Sequence, residues 1–331
     1  MLRVVQAGLG SIGQAIAARA HRDAGLELVG AADPNPELVG RDLGKLIGVG
    51  QLDIEVASAL DPLLETVRPD LVLHATGSFL EEVATQFLPI LDRGVSVIST
   101  CEELAYPFYR HPALAQKLDR AAKKSGAVLL GSGVNPGFVM DKFVVTLLAA
   151  CESVRSVRVL RVLNAATRRG AFQRKIGAGL SREEFEGLRR GGRMGHVGLA
   201  ESAHMLADAM GLDTGRRLSE SLDPVLSEER ISTDHVVVEP GRVAGIHQTA
   251  ALTIGDEQRV HMELEMYVGA ERPRDAAFID GAPGMDLEVT SGVPGDAGTV
   301  SVVISCAHVV GRLEPGLRTM LDVPLLPPAR I

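Results

Sequence analysis

Tryptophan is absent from this 331-residue chain, and aromatic side chains make up only 3% of it. A pocket built from such a sequence is expected to be lined mainly by aliphatic groups. Cysteine is scarce: Cys101, Cys151 and Cys306 stand far apart, with no C-x-x-C spacing. That pattern excludes a disulfide framework and a thiolate zinc site, and it fits reduced thiols in a cytoplasmic protein. An excess of positive charge is also missing. The net charge of −8 argues against nucleic acid or an anionic membrane as partner, because both need clustered cations. The basic pairs Arg168-Arg169 and Arg189-Arg190 are too short to change this. No apolar run reaches membrane-spanning length, and Leu2 already begins a strand pattern, so neither a membrane segment nor a signal peptide is expected. No His/Asp/Glu set has metal-ligand spacing, so no metal is expected, and no G-x-S-x-G turn offers a hydroxyl nucleophile.

What is present begins at the N-terminus. Leu2 to Ala7 reads as a strand, Gly8-Leu9-Gly10-Ser11-Ile12-Gly13 as a G-x-G-x-x-G turn, and Gln14 onward as a small-residue helix. In such a turn Gly8 makes the bend, Gly10 lets a pyrophosphate approach the backbone, and Gly13 lets helix and strand pack closely. The phosphates would meet the free N–H groups of the helix start, at Gly10, Ser11, Ile12 and Gly13. A second strand, Leu26 to Ala32, ends in Asp33, about 20 residues after Gly13, where a carboxylate binds a ribose and repels a 2′-phosphate. NAD is therefore the expected cofactor, with Arg41 leaving NADP open.

The first 135 or so residues alternate apolar strands and helical patterns, as a doubly wound parallel sheet requires. A helix is expected from Glu37 to Ile47, strands at Leu71–Ala75, Val95–Thr100 and Ala127–Gly131, and a helix from Pro112 to Lys124 closed by Gly126. Ligands of such a sheet bind beyond the carboxyl ends of its strands. This singles out Thr76-Gly77-Ser78, Cys101-Glu102-Glu103 and Gly133-Val134-Asn135-Pro136-Gly137, with Thr76, Gly77, Cys101 and Asn135 expected against the cofactor. A helix from Phe138 to Ala150 then leads to a long strand, Val154–Ala165, and a basic loop holding Arg168, Arg169, Gln173, Arg174 and Lys175. A helix from Leu199 to Met210 follows, and from Asp223 the sequence is strand-like, with breaks at Pro240-Gly241 and Gly255-Asp256. A second α+β domain on a mixed, largely antiparallel, open sheet is expected, its open face available to a second copy of the chain. The divisions are 1–137 for the dinucleotide-binding domain, 138–295 for substrate binding and dimerisation, and 296–331 for an apolar helix and tail returning to the first domain.

The acid pair Glu102 and Glu103 just past a central strand suits general acid–base work, although acids at a helix start also simply complement its dipole. His74, ending an apolar strand, reads as a core or sheet-end histidine more readily than a catalyst. His196 lies between glycines ahead of a helix and is the better pocket candidate. Arg161, Arg168 and Arg174 have the chemistry to clamp a carboxylate.

Several strings are more specific than the glycine fingerprint. Cys101-Glu102-Glu103-Leu104-Ala105-Tyr106-Pro107, Gly133-Val134-Asn135-Pro136-Gly137-Phe138-Val139-Met140-Asp141, Phe172-Gln173-Arg174-Lys175 and Gly195-His196-Val197-Gly198 resemble the 2,4-diaminopentanoate dehydrogenases and their relatives, the native NAD(P)-dependent amine dehydrogenases. The fold is then similar to that of dihydrodipicolinate reductase, whose own catalytic signature, rich in histidine and containing lysine, is missing here. The resemblance implies reversible oxidative deamination: a carbonyl substrate and ammonia on one side, an amine on the other, and a homodimer. It carries the acid–base role onto Glu102 or Glu103, with Glu102 preferred. Asn135, Phe138, Asn164, Arg168, Gln173 and His196 are the expected pocket residues, and a substrate carboxylate would be held by Arg161 or Arg168. Two other functions stay open at this point: a carbonyl or cyclic-imine reductase working without ammonia, and a non-catalytic dinucleotide sensor.

Overall fold

A computed structural model describes residues 1–192, 194–212 and 215–326. It divides into two compact units, Met1–Phe138 with Pro294–Ile331, and Val139–Val293. Of the expected C-terminal tail, residues 327–331 lie outside the described residues.

The first unit begins with β1 (Leu2–Ala7), α1 (Ser11–His21), β2 (Leu26–Ala32), α2 (Leu43–Leu46), β3 (Val56–Ala57) and α3 (Leu60–Val67). It continues with β4 (Leu71–His74), α4 (Leu80–Asp92), β5 (Ser96–Ser99), a 3₁₀ turn at Glu102–Ala105, α5 (Pro112–Ser125) and β6 (Val128–Gly131). The strands are short and buried on both faces, as helix-covered parallel strands must be. In α5 Leu118 and Ala122 of the expected four-residue spacing are buried with Ala115, while Leu114 is half-buried; Pro112 opens the helix, and Gly126 closes it at φ +75°. The helix expected at 37–47 shrinks to α2. Asp42 adopts extended backbone and its carboxylate accepts from Lys45 N and Leu52 N, so the helix starts only after it.

The second unit starts with α6 (Lys142–Leu148), β7 (Ser153–Asn164), α7 (Gly170–Lys175), α8 (Arg182–Arg190) and α9 (Leu199–Ala209). Next come β8 (Arg216–Leu226), β9 (Ile231–Ser232), β10 (Val237–Val238), β11 (Val243–Ile254), β12 (Glu257–Tyr267), β13 (Arg274–Ala282) and β14 (Met285–Thr290). α6 begins later than expected because Asp141 is non-helical and caps it, accepting from Lys142 N at 2.6 Å and from Ser202 Oγ at 2.7 Å. The basic loop contains a helix, α7. α8, which the sequence reading passed over, is opened by a capping box between Ser181 and Glu184. The six-stranded sheet has the order β14-β13-β7-β12-β11-β8, antiparallel except between β7 and β12. The two-residue break Gly255-Asp256 makes the β11–β12 hairpin. α9 packs on the face formed by Ile246, Ala250, Leu252, Met262 and Leu264. Each such leucine or methionine contributes about 1.5–3 kcal/mol by leaving water.

After Val293 the chain re-enters the first unit as α10 (Gly295–Ala307) and β15 (Gly316–Arg318). The first sheet then reads β15-β6-β5-β4-β1-β2-β3, parallel throughout. Strand order reverses between β1 and β4, so the ligand crevice of this doubly wound sheet lies over Gly8 and the turn after His74.

Candidate active site

At the crevice the glycine turn is a cradle that side chains would fill. A Cβ on Gly8, which sits at φ +82°, would lie 2.4 Å from Ala75 O, and one on Gly13 only 1.9 Å from Gly8 O. A Cβ on Gly10 would meet no protein atom within 4 Å, so that position faces open space. Gly10 caps α1 without a side-chain hydrogen bond, and the first turn, at Ser11, Ile12 and Gly13, carries no acid. An anion is the natural complement of those N–H groups. Asp33 is oriented at both oxygens: Leu9 N donates to Oδ2 at 2.6 Å and Asn35 N to Oδ1 at 2.8 Å. The residues present fit a dinucleotide, with a carboxylate at the ribose end.

Next to this cradle, β4 and β5 end in two linked turns. Cys101 N donates to Ser99 Oγ (3.1 Å), which lies 2.9 Å from His74 Nδ1. Thr76 Oγ1 donates to Gln86 Oε1 at 3.1 Å, and His74 Nε2 lies 2.9 Å from Thr76 Oγ1 and 3.1 Å from Gln86 Oε1. Burial pushes the His74 imidazole down to about 4, so the ring is neutral. The same effect pushes the Cys101 thiol up to about 12; its Sγ donates to Ser78 O, and it is no nucleophile.

The two glutamates have different surroundings. Glu103, 8% exposed, accepts from Leu80 N at 2.7 Å and from His111 Nε2 at 2.8 Å, so it holds the start of α4. Glu102 is half-buried on the same 3₁₀ turn, where successive side chains diverge by about 120°. The sequence reading gave His111, the partner of Glu103, no role at the site. Past β6, Asn135 is half-buried at a cis peptide to Pro136, and Gly137 turns at φ +126° against Gly133. Gly77 and Phe138 are also half-buried.

In the second unit several expected pocket residues prove to be braces. Arg161, expected to hold a substrate carboxylate, is 1% exposed and donates to Asp275 Oδ1 (3.0 Å) and Val293 O (2.6 Å). Asp275 also accepts from Val293 N at 2.6 Å. Burial lowers the guanidinium and raises the carboxyl, each against the other's charge. Arginine titrates so far above neutrality that the pair stays ionic. Asn164 bonds Ala270 O, Ala166 N and Gly269 N, tying off the end of β7. Gln173 is fully buried, donating to Ala166 O and Arg168 O and accepting from Thr233. It shapes the loop that carries Arg168, whose guanidinium stacks on Phe172 at 4.9 Å. The backbone of His196 is gripped on both sides by the Gln248 amide. Asp275, Gln248 and Thr233 lie too far along the chain from their partners for spacing to reveal them. His247, Glu263 and Glu265 cluster within 4.8 Å, but Glu263 is already hydrogen-bonded to His247 and ion-paired with Arg158 on the sheet.

The family described as the 2,4-diaminopentanoate dehydrogenase C-terminal domain matches residues 138–330, and the dihydrodipicolinate reductase N-terminus matches residues 2–98. The 2,4-diaminopentanoate dehydrogenase of Acetoanaerobium sticklandii is 30% identical, over 98% of this chain and 94% of its own length. This chain belongs to the 2,4-diaminopentanoate dehydrogenase family. An amine dehydrogenase of Streptomyces virginiae is 25% identical over 50% of this chain and 47% of its own. The solved amine dehydrogenase of Mycobacterium smegmatis shares the fold, with a TM-score of 0.84, 24% identity, and coverage of 98% of this chain and 97% of that one. Within this family frame, the glycine cradle, Asp33 and the Glu102 turn sit at the carboxyl ends of the strands, where a doubly wound sheet binds its ligands.

Proposed function

We propose that this chain is an NAD-preferring amine dehydrogenase interconverting an amine with a ketone or aldehyde plus ammonia, with Glu102 as the acid–base group. Family membership makes it an NAD(P)-dependent oxidoreductase acting on CH–NH2 groups. The observation that carries the residue assignment is the commitment of Glu103 to Leu80 N and His111, which makes it a support for the turn.

In the reductive direction ammonia adds to the carbonyl, the carbinolamine loses water, and the iminium carbon is reduced. A bound nicotinamide supplies the hydride. Glu102 as carboxylate takes a proton from ammonium, returns it to the departing hydroxyl, and is again an anion when the cationic iminium forms. A cationic side chain would repel that species, which favours a carboxylate over any arginine here. Asp33, with both oxygens already fixed by backbone N–H groups, would receive the ribose hydroxyls and disfavour a 2′-phosphate.

Among the described residues no helix is long and apolar enough to cross a membrane. The three free thiols support a cytoplasmic setting. A homodimer through the second sheet is supported by the face opposite α9, where the half-buried Tyr267 and Phe278, packed over Leu160 and Val162, lie among ion pairs of both signs, Arg158–Glu263 and Arg272–Glu288. Such a face is complementary to its own copy about a twofold axis.

NADH oxidation at alkaline pH, with ketones, aldehydes and 4-oxo acids and with or without ammonium, tests the chemistry. Turnover that requires ammonium is the expected result; equal turnover without it would make the protein a carbonyl reductase. Glu102→Gln should lower kcat about 10²- to 10⁴-fold.

A further inference from the structure

We propose that His74 is a positioning residue for the reaction: through Ser99 and Thr76 it fixes the turn that carries Glu102 and the turn that abuts the dinucleotide loop. This rests on the reading of Glu102 as the acid–base group.

One arrangement of protons satisfies every contact of the ring at once. Gln86 Oε1 accepts only, and Thr76 Oγ1 already donates to it. In this arrangement His74 Nε2, 2.9 Å from Thr76 Oγ1 and 3.1 Å from that oxygen, carries the ring proton. Nδ1 is then the lone pair that accepts the Ser99 hydroxyl at 2.9 Å. With its hydrogen directed to the ring, Ser99 Oγ accepts the Cys101 N–H at 3.1 Å. The chain of donors then runs Cys101 to Ser99 to His74 to Gln86 without conflict, and contacts at both ring nitrogens fix the orientation of the ring. The edge of Phe87, 4.8 Å away between centroids, closes the remaining side.

Each end of this relay holds something the chemistry needs. Cys101 N is the last backbone donor before Glu102, so its tether sets where the 3₁₀ turn leaves the sheet. Thr76 follows Ala75, whose carbonyl lies against Gly8, so the other end sets the wall beside the pyrophosphate turn. A ring that is 1% exposed and uncharged is poorly suited to proton transfer with solvent and costs more to bury than phenylalanine would. What it provides is a rigid, two-ended bond between the ends of β4 and β5. A displacement of the acid–base group by about 1 Å is enough to lower turnover about 10²-fold.

The test compares His74→Phe and Ser99→Ala in the full-length enzyme, alone and combined with each other and with Glu102→Gln. Readouts are kcat and KM for ammonium-dependent NADH oxidation, NADH affinity by fluorescence, and melting temperature. His74→Phe should lower kcat about 10²-fold with KM for the carbonyl changed less than about threefold. Ser99→Ala, a change small enough to fold regardless, should lower kcat roughly 10-fold, the value of one lost hydrogen bond. The double variant should be no worse than His74→Phe, because both cut one relay. Neither change should lower the residual rate of Glu102→Gln further. If Ser99→Ala and a folded His74→Phe both keep kcat within twofold, or if their losses multiply, the proposal is overturned. A Glu102→Gln enzyme with full turnover would instead refute the acid–base reading, while kcat losses in the other variants would still show a positioning role.

Discussion

The buried pair Arg161–Asp275 gives the sharpest quantitative prediction. Removing one member of a buried ion pair strands its partner's charge and costs about 3–5 kcal/mol. Asp275→Leu leaves the Arg161 guanidinium with only Val293 O and also orphans Val293 N; Arg161→Met leaves the carboxylate with only Val293 N. Removing both charges together would approach neutrality in a purely apolar site. Here it cannot, because the pair also satisfies both backbone groups of Val293, and each orphaned group costs about 1–3 kcal/mol. The double variant should therefore lose about as much as either single one, and far less than both together. In a unit of this size 1 kcal/mol moves Tm by about 2–4 °C, so each single variant should lose roughly 6–20 °C. Scanning calorimetry of the second unit's transition measures all three. Additive losses would refute the paired geometry. An unchanged Tm in Arg161→Met, with a raised KM confined to carboxylate-bearing carbonyls, would restore Arg161 as a substrate receptor.

The His74 imidazole binds its proton more weakly when folded, at about 4, than its ordinary value of 6.5, so the folded state holds fewer protons between those values. The stability that His74 contributes is complete above pH 6.5 and is lost as pH falls towards 4, by about 3 kcal/mol in all; urea titrations of wild type and His74→Phe should differ in slope across that window only. Gly13→Ala should lower Tm and weaken NADH together, since its methyl meets Gly8 O, whereas Gly10→Ala should leave the melting temperature of the free enzyme unchanged and raise the NADH Kd alone. Glu103→Gln should lose about 1–2 kcal/mol of stability at the start of α4, seen by calorimetry, while retaining turnover within a few-fold.

The features legible in the sequence are those written in neighbouring residues. The glycine turn, its flanking strands and Asp33 follow from local backbone requirements, and α5 announces itself by Pro112, Gly126 and the four-residue spacing of Leu114, Leu118 and Ala122. The family strings brought Glu102 and Glu103 forward together, but dividing their roles depends on Leu80, 23 residues before Glu103, and on His111, eight after it. Arg161 reads as a free cation until the fold brings Asp275 to it from 114 residues away. Asn164 and Gln173 have the look of pocket amides, yet their partners are backbone groups of a loop whose path no pattern announces. The helix expected from Glu37 to Ile47 shrank to α2 for the opposite reason: one carboxylate, Asp42, has a better use for its oxygens.

The interleaved order of the two units has a consequence for how the chain is made. β6 has β5 on one side and β15 on the other, and α1 packs against α10, yet α10 and β15 are encoded after the whole of the second unit. A nascent chain that has just released β6 from the ribosome must wait for about another 180 residues, roughly 10–40 s at ordinary synthesis rates, before its last strand arrives. Throughout that interval β6 is an unpaired edge and the apolar flank of α1 is wet, the condition that invites pairing with another nascent copy. Chaperone demand should therefore be set by the time taken to translate the second unit, and silent codon changes between residues 139 and 293 should alter soluble yield without altering the finished enzyme.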